Sequence, residues 1–456
     1  MDGDKPRRAI AAVAAELYRV LRKTPQPLDD TAAALLHGKK TLSSEDREAA
    51  SWLAFAALRL RHCIEALESA ATTDMPEERG AIHAALALAL EIDVPGADAV
   101  ARRAEFSGAD TTSMHERTRE VYRALAQRVA ERLDAAAPVD EDTLGVYAAY
   151  ASCPSWILAE WSTRSGGWPA AVALGASLRL PAGVALRVNT RHMTRGELRA
   201  RLAADGVETI ESALSPAGLV LARRARLTGS PLYEEGAFEI QDIGSQLIGY
   251  ALDPRPGMSV YDACAGAGGK TLHLADLMGD EGFIRAADIE RQRLLSLTRR
   301  AARCALTSIE TVLTRPGSAP RDEHARFDAV LVDAPCSGTG TARRNPAVKW
   351  RVSPKQLARL AATQRAILED AARAVSPGGT LVYATCSLMP DENERVVAAF
   401  LEANPAFAPA PLASAFARHG VTSLTDDTAH MLQLTPSEHG TDGFFIARLR
   451  RRDDHS

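Results

Sequence analysis

The chain has 456 residues, 46% of them hydrophobic and 25% charged, with a formal net charge of -4. Such a length is too great for one small domain and predicts two or three, and the composition is that of an ordinary globular protein with sizeable cores. No uninterrupted apolar stretch reaches the roughly 18 residues of a bilayer span, and the start, Met1-Asp2-Gly3-Asp4, lacks the charged-then-apolar pattern of a secretion signal. A cytoplasmic location without membrane contact is expected. The six cysteines (Cys63, Cys153, Cys264, Cys304, Cys336 and Cys386) contain no Cys-x-x-Cys pair, which argues against a zinc knuckle and a disulfide framework. They read as free thiols, and no metal is expected.

Residues 1–137 read as helices only. Ile10, Val13, Leu17, Val20 and Leu21 form one apolar stripe, Leu53, Ala57, Leu60, Ile64 and Leu67 a second, and Val121, Leu125, Val129 and Leu133 a third, all near a 3.6-residue period. Pro25, Pro27 and Pro95-Gly96 break the run, and Ser43 ahead of Asp46 predicts a helix start. The texture changes over 138–236, where strands are predicted at Val184 to Val188 and Gly218 to Ala222 around a helix at Arg195 to Ala204. A small α+β module of this kind, rich in arginine, suits contact with RNA. Over 237–456 short β-rich runs alternate with helical stretches. Strands are predicted at Ser259 to Tyr261, Phe283 to Ala287, Ile309 to Leu313, Ala329 to Val332 and Thr380 to Tyr383, with a helix after each of the first four. A closing pair is predicted at Met431 to Leu434 and Phe444 to Leu449. This alternation predicts an α/β domain whose parallel sheet carries helices on both faces and an antiparallel edge.

The loop after the first of those strands, Tyr261-Asp262-Ala263-Cys264-Ala265-Gly266-Ala267-Gly268-Gly269-Lys270-Thr271, occupies the place where a doubly wound sheet holds a nucleotide-like cofactor. Asp288, at the end of the next strand, is placed to accept hydrogen bonds from two ribose hydroxyls. The spacing fits S-adenosylmethionine or a dinucleotide. Without a G-x-G-x-x-G, and without the first glycine of a phosphate loop, a triphosphate and a purely structural turn also stay open.

Two further turns each carry a thiol to the carboxyl end of a predicted strand, Asp333-Ala334-Pro335-Cys336-Ser337-Gly338-Thr339-Gly340 and Thr385-Cys386-Ser387. A single cysteine there is more often inert filling; two at one sheet edge point to covalent chemistry. Pyrimidines are poor nucleophiles at C5 until a thiolate adds to C6. Asp333, three residues before Cys336, could then stabilise the charge or proton gained at N3. Helix amino termini and Lys270 nearby are expected to favour both thiolates. Residue chemistry alone leaves open which sulfur attacks.

The strings Asp333 to Gly340, Thr385 to Ser387, Gly268 to Thr271 and Arg343-Arg344-Asn345-Pro346 running to Lys349-Trp350 resemble those of the RNA (cytosine-C5) methyltransferase family. Pro154-Ser155-Trp156, Leu186-Arg187-Val188-Asn189, Gln241-Asp242 with Ser245-Gln246, and Asp442-Gly443-Phe444-Phe445 extend the likeness to the bacterial Fmu/RsmB branch, which modifies small-subunit (16S) ribosomal RNA. The helical start is similar to that branch's NusB-like domain. The resemblance implies Cys386 as nucleophile, Cys336 as the thiol assisting product release, and Asp333 and Lys270 as contacts to the target base. It also implies S-adenosylmethionine held by Ala263, Cys264, Ala265, Gly266, Ala267, Gly268, Gly269, Lys270, Asp288, Arg293, Asp333 and Pro335, with no metal. The expected partner is ribosomal RNA and the expected state a monomer.

Two departures stand out. Gly266-Ala267 replaces the family's usual Ala-Pro, and the third strand ends Leu313-Thr314-Arg315-Pro316 where an acidic residue is usual, so Thr314 is the candidate substitute. Two stretches are locally basic, +6 over Thr341 to Arg373 and +4 over Ala185 to Thr228. Arg343, Arg344, Lys349, Arg351, Arg187 and Arg191 are the expected phosphate contacts. Trp350 reads as core more than as a stacking platform. A transfer-RNA cytosine methyltransferase and a non-catalytic RNA-binding assembly factor are the alternatives; the second has no need of two thiols.

Overall fold

In the computed structural model, residues 4–24, 28–39, 41–68, 77–95, 97–103, 109–134, 138–164, 166–315, 324–422 and 424–453 are described. Pro25, Pro27, Gly96, Pro316 and most of the segment in which a helix was expected after Leu313 lie outside them. Two compact units emerge, one of Met1–Pro181 with Thr341–Val352, the other of Ala182–Gly340 with Ser353–Ser456. No helix among the described residues is long and apolar enough to cross a membrane.

The first unit is helical throughout its described residues. Its apolar stripes point inward as their period requires: Ile10, Leu17, Leu21, Leu53 and Ala57 are fully buried. Ser43 starts the helix Ser44–Arg59 through a capping box, its hydroxyl accepting from the Asp46 amide while the Asp46 carboxylate accepts from the Ser43 amide. The helices Glu141–Ala151, Ser155–Ser162 and Gly167–Ser177 belong to this unit as well, beyond the expected bundle limit at 137.

The second unit holds two sheets. In the smaller, β1 (Ala185–Val188), β2 (Thr209–Glu211), β3 (Gly218–Leu221) and β4 (Phe238–Ile240) run antiparallel in the order β2-β3-β1-β4. The helix Arg195–Ala204 covers it with Leu198 and Leu202, packed in one core with Leu186 and Leu219. β2 and β4 escape a sequence reading because each is only three residues long. β4 pairs with β1 although it lies past residue 236.

The larger sheet comprises β5 (Ser259–Asp262), β6 (Phe283–Asp288), β7 (Ile309–Leu313), β8 (Phe327–Asp333), β9 (Val375–Thr385), β10 (Phe407–Pro409), β11 (Met431–Leu434) and β12 (Phe444–Arg451). Its order is β10-β12-β9-β8-β5-β6-β7 with β11 beside β12; β5 to β9 are parallel and β10 to β12 form the antiparallel edge. Alternate residues feed opposite cores. Val260, Leu331 and Val382 face one with the helix Ile243–Leu252, while Tyr261, Val330, Val332, Leu381 and Tyr383 face the other with the helices Pro354–Ala372 and Glu394–Ala403. Burial on both faces explains why these strands read as continuous apolar runs. Strand order reverses between β5 and β8, and a crevice outside their carboxyl ends is where such a sheet takes its ligand.

Candidate active site

β8 and β9 are parallel neighbours with Asp333 in register with Ala384, so the two thiol turns leave the sheet side by side. The Cys336 and Cys386 sulfurs lie 3.4 Å apart. Backbone bonds stitch the turns together: the Gly340 amide donates to the Cys386 carbonyl at 3.0 Å, and Gly443 donates to the Gly340 carbonyl at 2.9 Å. A Cβ on Gly340 would sit 2.0 Å from the Gly443 carbonyl oxygen, so this crossing admits no side chain. The Asp442-Gly443 string is structural in that sense.

On the neighbouring strand β5 the glycine loop leads into the helix Gly269–Leu277. Lys270 Nζ reaches Asp333 Oδ2 at 2.6 Å and lies 5.6 Å from the centre of the Phe444 ring. All four expected catalytic residues therefore meet at one edge. Ala263 and Ala265 are fixed by amide bonds to the Leu331 and Ala287 carbonyls, both 2.9 Å. Gly266 and Gly268 adopt φ values of 55° and 89°, and a Cβ on Gly268 would come 2.5 Å from Leu297 Cγ. Asp288 accepts from the Gly266 amide at 2.9 Å and from the Glu290 amide at 2.7 Å, holding the loop against the end of β6. A Cβ on Gly266 would meet nothing within 4 Å. Open space beside a bare backbone, with a carboxylate at the strand tip, fits a ribose-bearing ligand. Arg293 is half-exposed in the next helix and pairs with Glu290 at 2.9 Å. Pro335 offers its carbonyl to Gln364 at 3.0 Å, and the Thr314 amide bonds the Asp288 carbonyl at 3.0 Å.

The charges at this edge divide the labour. Burial opposes a charge on Lys270, but Asp333 outweighs it, with Cys386 and Asp262 adding, so the lysine is held above its ordinary value. Cys336 departs from expectation: its hydrogen bond with Cys386, then burial, then the charges of Cys386 and Glu392 push it well above an ordinary thiol. Cys336 therefore keeps its proton. Burial chiefly, then Asp262 and Asp333, also raises Cys264. Asp262, 1% exposed beneath the loop and accepting the Thr271 hydroxyl at 2.7 Å, is pushed up to about 7, chiefly by burial.

Sequence reasoning missed Glu392. Fully buried after β9, it accepts the Ser337 amide at 2.8 Å, the Ser337 and Ser387 hydroxyls at 2.5 Å each and Gln364 at 3.0 Å. One carboxylate thus ties both thiol turns to the helix Pro354–Ala372. Asn393 adds bonds to Thr385 at 2.6 Å and to the Ser387 carbonyl at 2.9 Å. An acidic residue shortly after the apolar pair Leu388-Met389 was the available signal.

The expected phosphate contacts fare differently. Arg187 is 2% exposed, with its guanidinium committed to Asp276 and to Gln241 at 2.8 Å, so it cannot grip RNA. Lys349 is 1% exposed and donates to the Arg59 carbonyl at 3.1 Å and the Ser152 carbonyl at 2.5 Å. Arg343 donates to the Pro181 carbonyl, Arg351 to the Leu21 carbonyl and Trp350 to the Leu58 carbonyl, inside the helical unit. Arg191 lies 3.9 Å from Asp280, and Arg344 is half-buried. Arg223, Arg224 and Arg226, in the loop after β3, are exposed arginines of the second basic stretch, as are Arg199 and Arg201, which pair with Glu211 and Glu235. His273 is buried, and burial lowers it well below its ordinary value. No group of acids, histidines or cysteines among the described residues has metal-holding geometry.

Comparison with known proteins follows the same lines. Residues 249–450 match the family described as 16S rRNA methyltransferase RsmB/F, and residues 153–228 match its ferredoxin-like domain. A Bacillus subtilis protein named probable ribosomal RNA small subunit methyltransferase B is 36% identical over 314 residues, 68% of this chain and 69% of that one. A Synechocystis protein of the same name is 36% identical over 317 residues, 69% and 70% of the two chains. The solved structure of a methyltransferase homologue from Pyrococcus horikoshii is 27% identical, covers 67% of this chain and 97% of its own, and superposes with a TM-score of 0.57. On the strength of these matches, the chain belongs to the RsmB/F family of 16S ribosomal RNA methyltransferases.

Proposed function

We propose that this chain transfers a methyl group from S-adenosylmethionine to C5 of a cytosine in small-subunit ribosomal RNA, through a covalent bond between Cys386 and C6 of that base. The observation that carries the reading is the pair of sulfurs 3.4 Å apart beside the Lys270–Asp333 pair. Held over Ala263 to Gly269 with Asp288, Arg293, Asp333 and Pro335 at hand, S-adenosylmethionine would supply an electrophilic methyl group.

The chain's own residues do the rest. Cys386 adds to C6, and the pair of the C5–C6 double bond moves into the ring, where Asp333, fixed by Lys270, stabilises the charge or proton gained at N3. C5 then bonds the methyl group. Loss of the C5 proton restores the double bond as the C6–sulfur bond breaks. Cys336, which keeps its proton, stands where it can hand that proton to the departing Cys386 sulfur and take the C5 proton in exchange. The base is unstacked from its RNA to reach this edge.

The same proposal includes a NusB-like identity for the helical region to residue 137, a small RNA-facing module to residue 236, a methyltransferase domain beyond it, and cytoplasmic action as a monomer. Bisulfite sequencing of total RNA from cells with and without the protein tests it. One protected cytosine of small-subunit ribosomal RNA should lose protection when the protein is absent. Loss confined to transfer RNA would assign the alternative substrate, and an unchanged pattern would end the proposal.

A further inference from the structure

The glycine loop has little stiffness of its own. Three of the five residues Ala265-Gly266-Ala267-Gly268-Gly269 are glycine, and none is proline. Restraint must come from outside: Asp288 holds the Gly266 amide, and a second side chain holds the loop at Ala267. Arg300, on the helix Arg291–Arg303, donates through Nη1 to the Ala267 carbonyl at 2.6 Å and through Nη2 to Glu239 Oε2 at 2.7 Å. Glu239 is the middle residue of β4 in the small sheet and is 2% exposed. Its other oxygen takes Arg303, whose guanidinium also donates to the Tyr233 carbonyl and lies 4.0 Å from the centre of the Tyr233 ring. A Cβ on Gly236 would come 2.6 Å from the Arg303 carbonyl, so the small module is seated directly on the end of this helix.

We propose that Arg300 is a positioning residue for the methyl-donor loop, and that Glu239 of the small module holds it in place. A rigid guanidinium fork spans a carboxylate and a carbonyl at once, which a lysine cannot do with the same geometry. The module that the chain presents for RNA is thereby wired to the loop that binds the donor. The inference rests on that loop taking S-adenosylmethionine.

Calorimetric binding of S-adenosylhomocysteine to the purified full chain tests it without turnover. Arg300→Met should weaken binding by on the order of tenfold, the scale of losing one charge-assisted hydrogen bond that preorganises a site. In steady-state assays the KM for the donor should rise with kcat little changed. Arg303→Met, which shares Glu239 but does not touch the loop, should lower the unfolding temperature with the Kd unchanged within twofold. Should Arg300→Met fail to fold, Arg300→Lys carries the test through the same weakening. Parent-like affinity in a folded Arg300 variant overturns the inference alone, as does equal weakening by Arg303→Met. A parent chain that binds no S-adenosylhomocysteine overturns the donor-loop assignment and the inference with it.

Discussion

Lys270, largely buried, and Lys349, fully buried, both make short polar contacts, yet they sit in opposite electrostatic settings. Lys270 faces the Asp333 carboxylate at 2.6 Å and is held above its ordinary value against the cost of burial. Lys349 faces two backbone carbonyls, and burial, with Arg179 and Arg59 nearby, lowers it to about 8. A neutral dipole does not repay the desolvation of an ammonium as a carboxylate does. The proposed mechanism therefore uses the first lysine for chemistry and leaves the second to packing, a difference that positive charge alone does not mark in the sequence.

The sharpest break of that comparison is by substitution. Lys270→Met should reduce methyl transfer by roughly 10²- to 10⁴-fold, the range for removing a group that sets charge in the transition state, with the fold retained. Lys349→Met should leave kcat within a few-fold of the parent. Single-turnover assays with donor and RNA saturating check both, and equal losses would erase the distinction.

Next in size is the carboxylate that the sequence concealed. Glu392→Ala leaves Ser337, Ser387 and Gln364 without their shared acceptor and should cost about 2 to 4 kcal/mol of stability, read by denaturant unfolding. A cost below about 1 kcal/mol would show that the two thiol turns hold their places without it.

The basic stretches divide in the same manner as the lysines. Replacing Arg223, Arg224 and Arg226 by alanine should weaken RNA binding and flatten its dependence on salt, by roughly 0.7 in logarithmic slope for each phosphate no longer neutralised. Arg187→Met should lower stability and leave that slope alone. A reversed pattern would return the phosphate role to the buried arginine.

The parallel strands and both thiol turns were legible because each motif occupies consecutive residues after an apolar run. Asp333, Cys336, Cys386 and Lys270 could be named from local strings for that reason. Glu392, Glu239 and Arg300 could not, since their meaning lies in partners far along the chain: Glu392 with Ser337, and Arg300 with Ala267 and Glu239. Charge counting failed at Arg187 and Lys349 because a sequence gives the sign of a group and not its burial. The same limit explains Cys336, which its hydrogen bond with Cys386 and its burial hold well above an ordinary thiol.

The smallest effect is a pH dependence. Lys349 is lowered in the fold relative to an ordinary lysine, so the unfolded chain binds more protons between about 8 and the ordinary value of 10.5. Its contribution to stability should rise with pH across that window and be absent below it. Thermal unfolding from pH 7 to pH 10 should move the difference between parent and Lys349→Met in the parent's favour as pH rises; a constant difference would place the titration elsewhere.

The covalent step is tested most directly by Cys336→Ala incubated with substrate RNA and S-adenosylmethionine, then resolved on a denaturing gel. The account predicts a slow-migrating protein–RNA band, with peptide mass spectrometry locating the nucleotide on Cys386, and no band when Cys386 is also replaced by alanine. Normal turnover by Cys336→Ala without any such band, or an adduct that survives loss of Cys386, would contradict it.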